Sequence, residues 1–138
     1  MKKLLTGVLL LASLSSQAFA ASSTDIAKAI SSWNGSPLPA QALVVPEVTI
    51  KDIVVQPGEK LPVHLHPVIN AGVILEGELT VYTEDMKHKK TIKADTDNNT
   101  LVEMVNQYHF GKNEGDKPAR IIVFYIGEKG ETLTKLKK

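Results

Sequence analysis

The sequence predicts an all-β fold in one domain, on three observations. The 138 residues are 43% apolar and 22% charged, which fits a single globular domain. From Val44 onward, apolar and polar residues alternate with a period of two, as they do in half-buried strands. Turn signals recur about every ten residues and no long helical pattern follows Ile30, so we expect a β-sandwich or barrel.

The first twenty residues have the pattern of a secretory signal peptide. Two lysines begin the chain, an apolar run extends from Leu4 to Leu14, and a small-x-small sequence ends at Ala20, where we predict cleavage. The run is shorter than the ~20 residues that span a bilayer, which disfavours the alternative of a membrane anchor. We therefore expect a mature chain of residues 21–138 that is periplasmic or secreted and not associated with a membrane.

Composition excludes several classes of function. The formal net charge is +1, which offers no excess positive field, so nucleic acid is not an expected partner. The chain contains no cysteine, which excludes disulfides, CxxC redox chemistry, Fe–S clusters and Cys-ligated zinc. The fold must therefore be held together by its core alone.

Residues 21–44 are predicted to form a short N-terminal helix or an irregular arm. Ile26, Ala29 and Ile30 would share one helical face. Two prolines and an Asn-Gly pair then forbid regular structure in the following loop. In that loop we expect Trp33, the one tryptophan of the chain, to anchor the arm against the barrel.

Strands are predicted along the rest of the chain, separated by turns. A Pro-Gly pair at residue 57 suits a type II turn, and residues 95–99 form a polar turn. Residues 110–116 contain two glycines and are predicted as a loop, and the basic end of the chain from Thr132 as a frayed tail. The strands are predicted at residues 48–53, 61–66, 72–75, 79–83, 91–93, 101–105 and 119–126.

Three of the four histidines are candidate metal ligands. His64 and His66 are two residues apart, so on a strand both side chains lie on the same face. His109 follows 43 residues later, and a barrel could place it opposite the pair. The alternative is a set of ordinary hydrogen-bonded histidines, since a bare HxH pattern is common. His88 lies in a basic hairpin tip and is expected to be solvated.

The spacing around these histidines resembles the two sequence motifs of the cupin superfamily. The resemblance covers residues 45–127 and implies a single-domain cupin, a double-stranded β-helix or jelly-roll barrel that follows the arm and precedes a tail at residues 128–138. It also implies a metal site inside that barrel. The residues that carry the resemblance are Gly58, His64, His66 and Gly77 in the first motif and His109 and Asn113 in the second.

Asn70 departs from the family pattern at a metal-site position. Cupins usually have a glutamate there, which completes the site with the three histidines. An amide oxygen is a neutral and weaker ligand, so we expect Asn70 to be a weak or second-shell ligand, and Mn²⁺ and Fe²⁺ to lose most affinity. The three imidazoles could still hold Zn²⁺, Ni²⁺, Cu²⁺ or Fe²⁺. Alternatively, a nearby acid such as Glu103 contributes to the site.

A small-molecule pocket is expected beside the metal site, within an apolar barrel interior. Its candidate lining residues are Tyr108, Tyr125, Met104, Val73 and Leu75. Val81, Val102 and Phe124 are further candidates for the lining or the core. For the two tyrosines, the alternative to a ligand-binding role is simple packing.

Three functions are compatible with these residues. The first is a binding or sensing protein that holds a transition metal. The second is a metal-dependent enzyme of dioxygenase or isomerase type, and the third is a metal-free barrel that binds a small molecule or carbohydrate. A homodimer is also expected, with pairing at the exposed strand of residues 47–55, because an unpaired strand edge invites pairing.

Overall fold

The computed structural model describes residues 21–138, and the predicted signal peptide lies outside the described residues. Within residues 21–138 the chain forms β-strands and turns and no helix, which confirms the all-β prediction. In the same part of the chain, nothing helical is long and apolar enough to pass through a membrane.

Nine strands are formed in the described part of the chain, and they build two antiparallel sheets. One sheet has the order β1-β8-β3-β6 and the other the order β5-β4-β7-β2-β9. The core lies between them, since buried side chains of β3 and β8 pack against those of β4 and β5. The strands are β1 (Pro46–Val55), β2 (His64–Leu65), β3 (Ile69–Glu76), β4 (Glu78–Thr83), β5 (Lys89–Lys93), β6 (Thr100–Val102), β7 (His109–Lys112), β8 (Ala119–Glu128) and β9 (Lys135–Leu136).

The longest pairing joins β1 and β8, in a register that runs from Pro46 opposite Glu128 to Val55 opposite Ala119. Burial alternates along β8, with Ala119 and Tyr125 buried. Phe124 is therefore exposed on the outer face of the sheet, and its prediction as a lining or core residue is wrong. The strand was predicted correctly, but the apolar residues on both of its faces do not indicate which face is inside.

Residues 21–44 form the predicted arm, without the alternative helix. The backbone N–H of Trp33 donates a hydrogen bond to the carbonyl of Val102 at 2.9 Å. The Trp33 side chain packs against the hydrophobic core. Trp33 thus anchors the arm to the barrel, as predicted.

The prediction of a loop at residues 110–116 is wrong for its first part, because residues 110–112 belong to strand β7. Gly111 lies in this strand and not in a turn. A Cβ at this position would lie 3.3 Å from Leu61 Cδ1 and 3.6 Å from Leu79 Cδ1. The glycine therefore allows these two side chains to pack closely against the strand, which is a common role of glycine within a strand.

The prediction of a frayed tail is also wrong, because the end of the chain is part of the second sheet. β9 pairs with β2, with Leu136 opposite His64. Leu133 packs against the core, and the N–H of Lys137 donates to the carbonyl of Val63 at 2.9 Å. The lysines of this segment suggested a solvated end, although the backbone between them completes the sheet.

A tight corner joins β3 to β4 at Gly77. The residue has φ +66°, and a Cβ there would collide with the carbonyl oxygen of Pro118. Any larger residue is therefore excluded both by conformation and by space. This corner starts β4 at the position from which it can pair with β7.

Candidate metal centre

The barrel brings the three predicted histidines together. His64 of β2 lies directly opposite His109 of β7, and His66 follows on the same face as His64. The ring centroids are 4.5 Å apart for His64 and His109, 4.9 Å for His64 and His66, and 5.1 Å for His66 and His109. One ring nitrogen of each residue lies within 4.8 Å of the other two. This spacing could hold one metal ion.

Each imidazole is oriented by a hydrogen bond from Nδ1 to a backbone carbonyl. We assign the proton to Nδ1, because a carbonyl oxygen can only accept. This tautomer leaves the Nε2 lone pair free for a metal, as is usual for ligating histidines. The Nδ1–O distances are 2.7 Å for His64 to Pro62, 2.8 Å for His66 to Leu133, and 2.8 Å for His109 to Gln107.

Burial keeps the three imidazoles neutral. Removal from water disfavours the charged form and lowers the pKa of His64 and His109 below the usual value. The pKa of His66 falls to about 4, with burial as the main cause and the neighbouring imidazoles as a further one. Because a metal binds the deprotonated ring, these shifts prepare all three side chains as ligands near neutral pH.

Asn70 in β3 and Glu103, one residue after the end of β6, lie beside the histidines. The backbone N–H of Glu103 donates to the carbonyl of Asn70 at 3.1 Å, one position beyond the paired residues of β3 and β6. Both side chains are buried. Oε2 of Glu103 lies 3.5 Å from Nε2 of His109. Burial raises the pKa of the Glu103 carboxyl to about 7, against the opposing influence of the nearby His64.

The buried polar atoms that lack a hydrogen-bond partner converge on this site. In residues 21–138 they are Nδ2 and Oδ1 of Asn70, Oε2 of Glu103, Nε2 of His109 and Nε1 of Trp33. Native proteins satisfy nearly all buried polar groups, so a cluster of such atoms requires an explanation. His109 Nε2 and Glu103 Oε2 are both electron-pair donors, and a cation satisfies both. The residues present therefore fit a divalent metal ion.

The site forms one part of a cavity of about 250 Å³ inside the barrel. The three histidines, Asn70 and Glu103 all line it. Apolar side chains form most of the remaining wall, and they include Ile53, Val55, Leu61, Leu79, Val81 and Leu101. A few polar groups on an otherwise apolar wall are typical of a small-molecule site.

The predicted pocket residues are only partly placed in this cavity. Tyr125 lines it, with its ring 5.4 Å from the ring of His66. Val73 and Leu75 do not, because Asn70 and Gly72 face the cavity and the odd-numbered residues of β3 face outward. Met104 is fully buried without lining the cavity. Tyr108 lies in a different, outer depression, because it precedes His109 and points the other way.

Two parts of the cavity wall were not predicted from sequence. Lys51 lines it from β1, with Nζ 5.7 Å from the centroid of the Tyr125 ring. The only sequence signal for its inward position is its two-residue spacing from Ile53 and Val55, which places all three side chains on the same face of β1. Thr134 and Leu136 line the cavity from the end of the chain, where no sequence motif marks them.

The comparison with protein families assigns the chain to a family. The family model for the cupin domain matches residues 52–125, which is more than half of the chain. The protein belongs to the cupin domain family, in agreement with the resemblance in its motifs and with its all-β barrel. No curated protein matches the sequence.

Solved structures with similar folds share little sequence with this chain. DMSP lyase DddQ from Ruegeria pomeroyi DSS-3 matches 75% of this chain and 47% of its own, with 20% identity and a TM-score of 0.54. BH2720 from Bacillus halodurans matches 62% of this chain and 67% of its own, with 16% identity and a TM-score of 0.51. An oxalate oxidase in complex with glycolate matches 58% of this chain and 45% of its own, with 25% identity and a TM-score of 0.48. This chain therefore spans less than half of the oxalate oxidase.

The stability of the metal-free protein should depend on pH through Glu103. The folded protein holds a proton up to about pH 7, which the unfolded chain releases near the usual pKa of 4.5. This contribution to stability is complete below pH 4.5 and is lost as the pH rises through about 7. Its size is on the order of 3 kcal/mol, because one pKa unit corresponds to about 1.4 kcal/mol.

Glu103→Gln removes this titration and keeps all three histidine side chains, although it also removes a charge that raises the pKa of His64. The free energy of unfolding of the variant, relative to wild type, should therefore be higher at about pH 8 than at about pH 4. Chemical denaturation in the presence of a chelator measures both values. Glu47→Gln, at an exposed position of β1, is the control. The prediction is contradicted if the difference between Glu103→Gln and wild type is the same at both pH values.

Proposed function

We propose that this cupin binds one divalent transition metal through Nε2 of His64, His66 and His109, next to a pocket for a small molecule. The observation that carries this proposal is the convergence of three neutral imidazoles whose Nδ1 atoms are held by backbone carbonyls. Buried histidines that serve only packing would not be expected to share this arrangement at one place. The cluster of unsatisfied polar atoms around His109 supports the same conclusion.

The ligand set favours a borderline transition metal. Three imidazoles suit Zn²⁺, Ni²⁺, Cu²⁺ or Fe²⁺, and Mn²⁺ would need an anionic oxygen as well. Three protein nitrogens leave at least one coordination position open. When bound, such an ion supplies Lewis-acid polarisation of an oxygen on a small molecule. The apolar wall would exclude water around that molecule, and the fixed imidazoles would orient it.

The pocket favours a small, mainly apolar molecule with an anionic group. Apolar side chains form most of the wall, and Lys51 is the one lysine or arginine in the lining within residues 21–138. Lys51 is itself exposed, so its ammonium would attract the anionic group from the solvent side of the pocket. An organic carboxylate would satisfy both Lys51 and the metal.

Substitution of each histidine by alanine tests the metal site. His64→Ala, His66→Ala and His109→Ala should each weaken metal affinity about 100-fold or more, since a ligand is lost from a three-nitrogen site. Elemental analysis and calorimetric titration of tag-free protein measure content and affinity. His88→Ala is the matched control, because His88 is exposed at a hairpin. Unchanged metal content in His64→Ala and His109→Ala would contradict the three-histidine site, whereas a wild-type protein that takes up no metal would favour the metal-free binding barrel.

We also propose that the protein is exported to the periplasm or secreted, and that it is cleaved after Ala20. The support is the signal-peptide pattern of residues 1–20 and the exposure of the residues that follow Ala20. The intact mass of the protein recovered from the exported fraction should match residues 21–138. Recovery from the cytoplasm with the mass of residues 1–138 would contradict export.

We propose further that two copies pair through the outer face of the β1-β8-β3-β6 sheet. This face exposes a set of large apolar residues, Val48 (61%), Ile50 (59%), Leu75 (45%), Phe124 (43%) and Ile126 (42%). Contiguous apolar surface of this kind is typical of an interface. β1 is also an edge strand with one unpaired side, and antiparallel pairing with its own copy across a two-fold axis would cover it.

Ile50→Lys tests this interface, because it places a charge within the apolar face on its edge strand. Analytical ultracentrifugation should give a dimer for wild type and a monomer for the variant. Ile30→Lys, at an exposed position of the arm, should remain dimeric. A monomeric wild type at every concentration would contradict the proposal.

A further inference from the structure

The carboxylate of Glu103 has one oxygen without a hydrogen-bond partner in the cavity. The residue is 8% exposed, and its Oε2 has no hydrogen-bond partner in the protein. Burial of a carboxylate without a partner is expensive. His109 beside it is not an adequate partner. Oε2 lies 3.5 Å from His109 Nε2, but the proton of this ring is on Nδ1, so Nε2 has no hydrogen to donate to the carboxylate. Nε2 of His109 is itself unsatisfied.

Glu103 is the cross-strand neighbour of Asn70. In the pairing of β3 with β6, Ala71 lies opposite Val102, and the next pair is Asn70 opposite Glu103. Side chains of directly opposed residues lie on the same face of a sheet, with Cβ atoms about 5 Å apart. A carboxylate on β3 and one at residue 103 can therefore reach nearly the same point of the cavity.

The distance between Glu103 and His109 fits two ligands of one ion. Metal–nitrogen and metal–oxygen bonds are about 2.0–2.2 Å long, so two ligands at a tetrahedral angle have donor atoms about 3.4 Å apart. The observed separation of Oε2 and Nε2 is 3.5 Å. When Glu103 is ionised, both atoms are electron-pair donors, and an ion between them would satisfy both. Within residues 21–138, the donor atoms that all lie within 4.8 Å of one another are those of the three histidines alone, so the carboxylate must move closer to at least one of the other two histidines to share their ion.

We propose that Glu103 supplies the anionic oxygen ligand of the metal centre, in place of a carboxylate at position 70. The inference rests on the proposed three-histidine metal site and adds a fourth ligand to it. One carboxylate reduces the net charge of a divalent centre from +2 to +1 in an apolar cavity. The charge that Asn70 does not provide is thus provided from the neighbouring strand.

The test is an exchange of the two side chains across the strands. Glu103→Gln keeps the shape and removes the anionic ligand, so Mn²⁺ affinity should fall by about 10–100-fold. Ni²⁺ affinity should fall less, because nitrogen ligands contribute more to its binding. The double variant Asn70→Glu/Glu103→Gln returns a carboxylate to the same face and should recover most of the Mn²⁺ affinity. Glu47→Gln, at an exposed position, should bind both ions as wild type does.

Titrations of Mn²⁺ and Ni²⁺ at about pH 8, where Glu103 is ionised, give these affinities. A second readout is the spectrum of bound Co²⁺, whose ligand-field bands should differ between wild type and Glu103→Gln. If Glu103→Gln does not fold, glutamate labelled with ¹³C at the side-chain carboxyl provides the test in wild type. Addition of Zn²⁺ should then move the resonance of one buried carboxyl.

The outcomes separate this inference from the metal site on which it rests. Equal affinities of Glu103→Gln and wild type for both ions, with binding lost in His109→Ala, would overturn the role of Glu103 and leave the three-histidine site in place. The absence of a carboxyl shift on addition of Zn²⁺ would overturn it in the same way. A wild-type protein that binds none of these ions would overturn the metal site itself.

Discussion

The register of two antiparallel strand pairs determines the whole site. His64 lies opposite His109 because of the register in which β2 pairs with β7. Asn70 lies opposite Glu103 because the register of β3 with β6 continues one residue beyond the end of β6. A shift by one residue would turn the side chains of a strand to its other face. The apolar core between the sheets opposes such a shift, so the packing that stabilises the barrel also fixes the positions of the polar residues in the cavity.

The sequence was sufficient for the fold class and for the three histidines. Local spacing indicated the fold class and the pair His64 and His66, and the resemblance to the second cupin motif indicated His109. Residues two apart on a strand share a face wherever the strand lies, which made His64 and His66 recognisable. Other features depend on long-range pairing that no local pattern encodes. β1 and β8 carry apolar residues on both faces, so the inward position of Lys51 and the outward position of Phe124 could not be deduced. The hydrogen bond that orients His66 uses the backbone carbonyl of Leu133, for which the side-chain identity gives no signal.

The polar residues of the cavity lower the stability of the barrel that contains them. Oε2 of Glu103 and both amide atoms of Asn70 lose their hydration and have no hydrogen-bond partner in the protein in return. A ligand that binds only the folded state shifts the folding equilibrium in proportion to its affinity. A metal in this site would therefore contribute to stability as well as to chemistry, and the folded state would be most stable when the metal is bound.

The backbone carbonyls that hold the three imidazoles also limit how the site can discriminate among ions. Each ring is fixed by a carbonyl from a different segment of the chain, so the nitrogens cannot contract around a small ion or separate for a large one without disturbing the sheets. A rigid set of neutral nitrogen donors ranks divalent ions by their intrinsic preference, with Cu²⁺ ahead of Ni²⁺ and Zn²⁺ and these ahead of Fe²⁺ and Mn²⁺. The ion carried by the protein in a cell would then reflect the metals available where it folds.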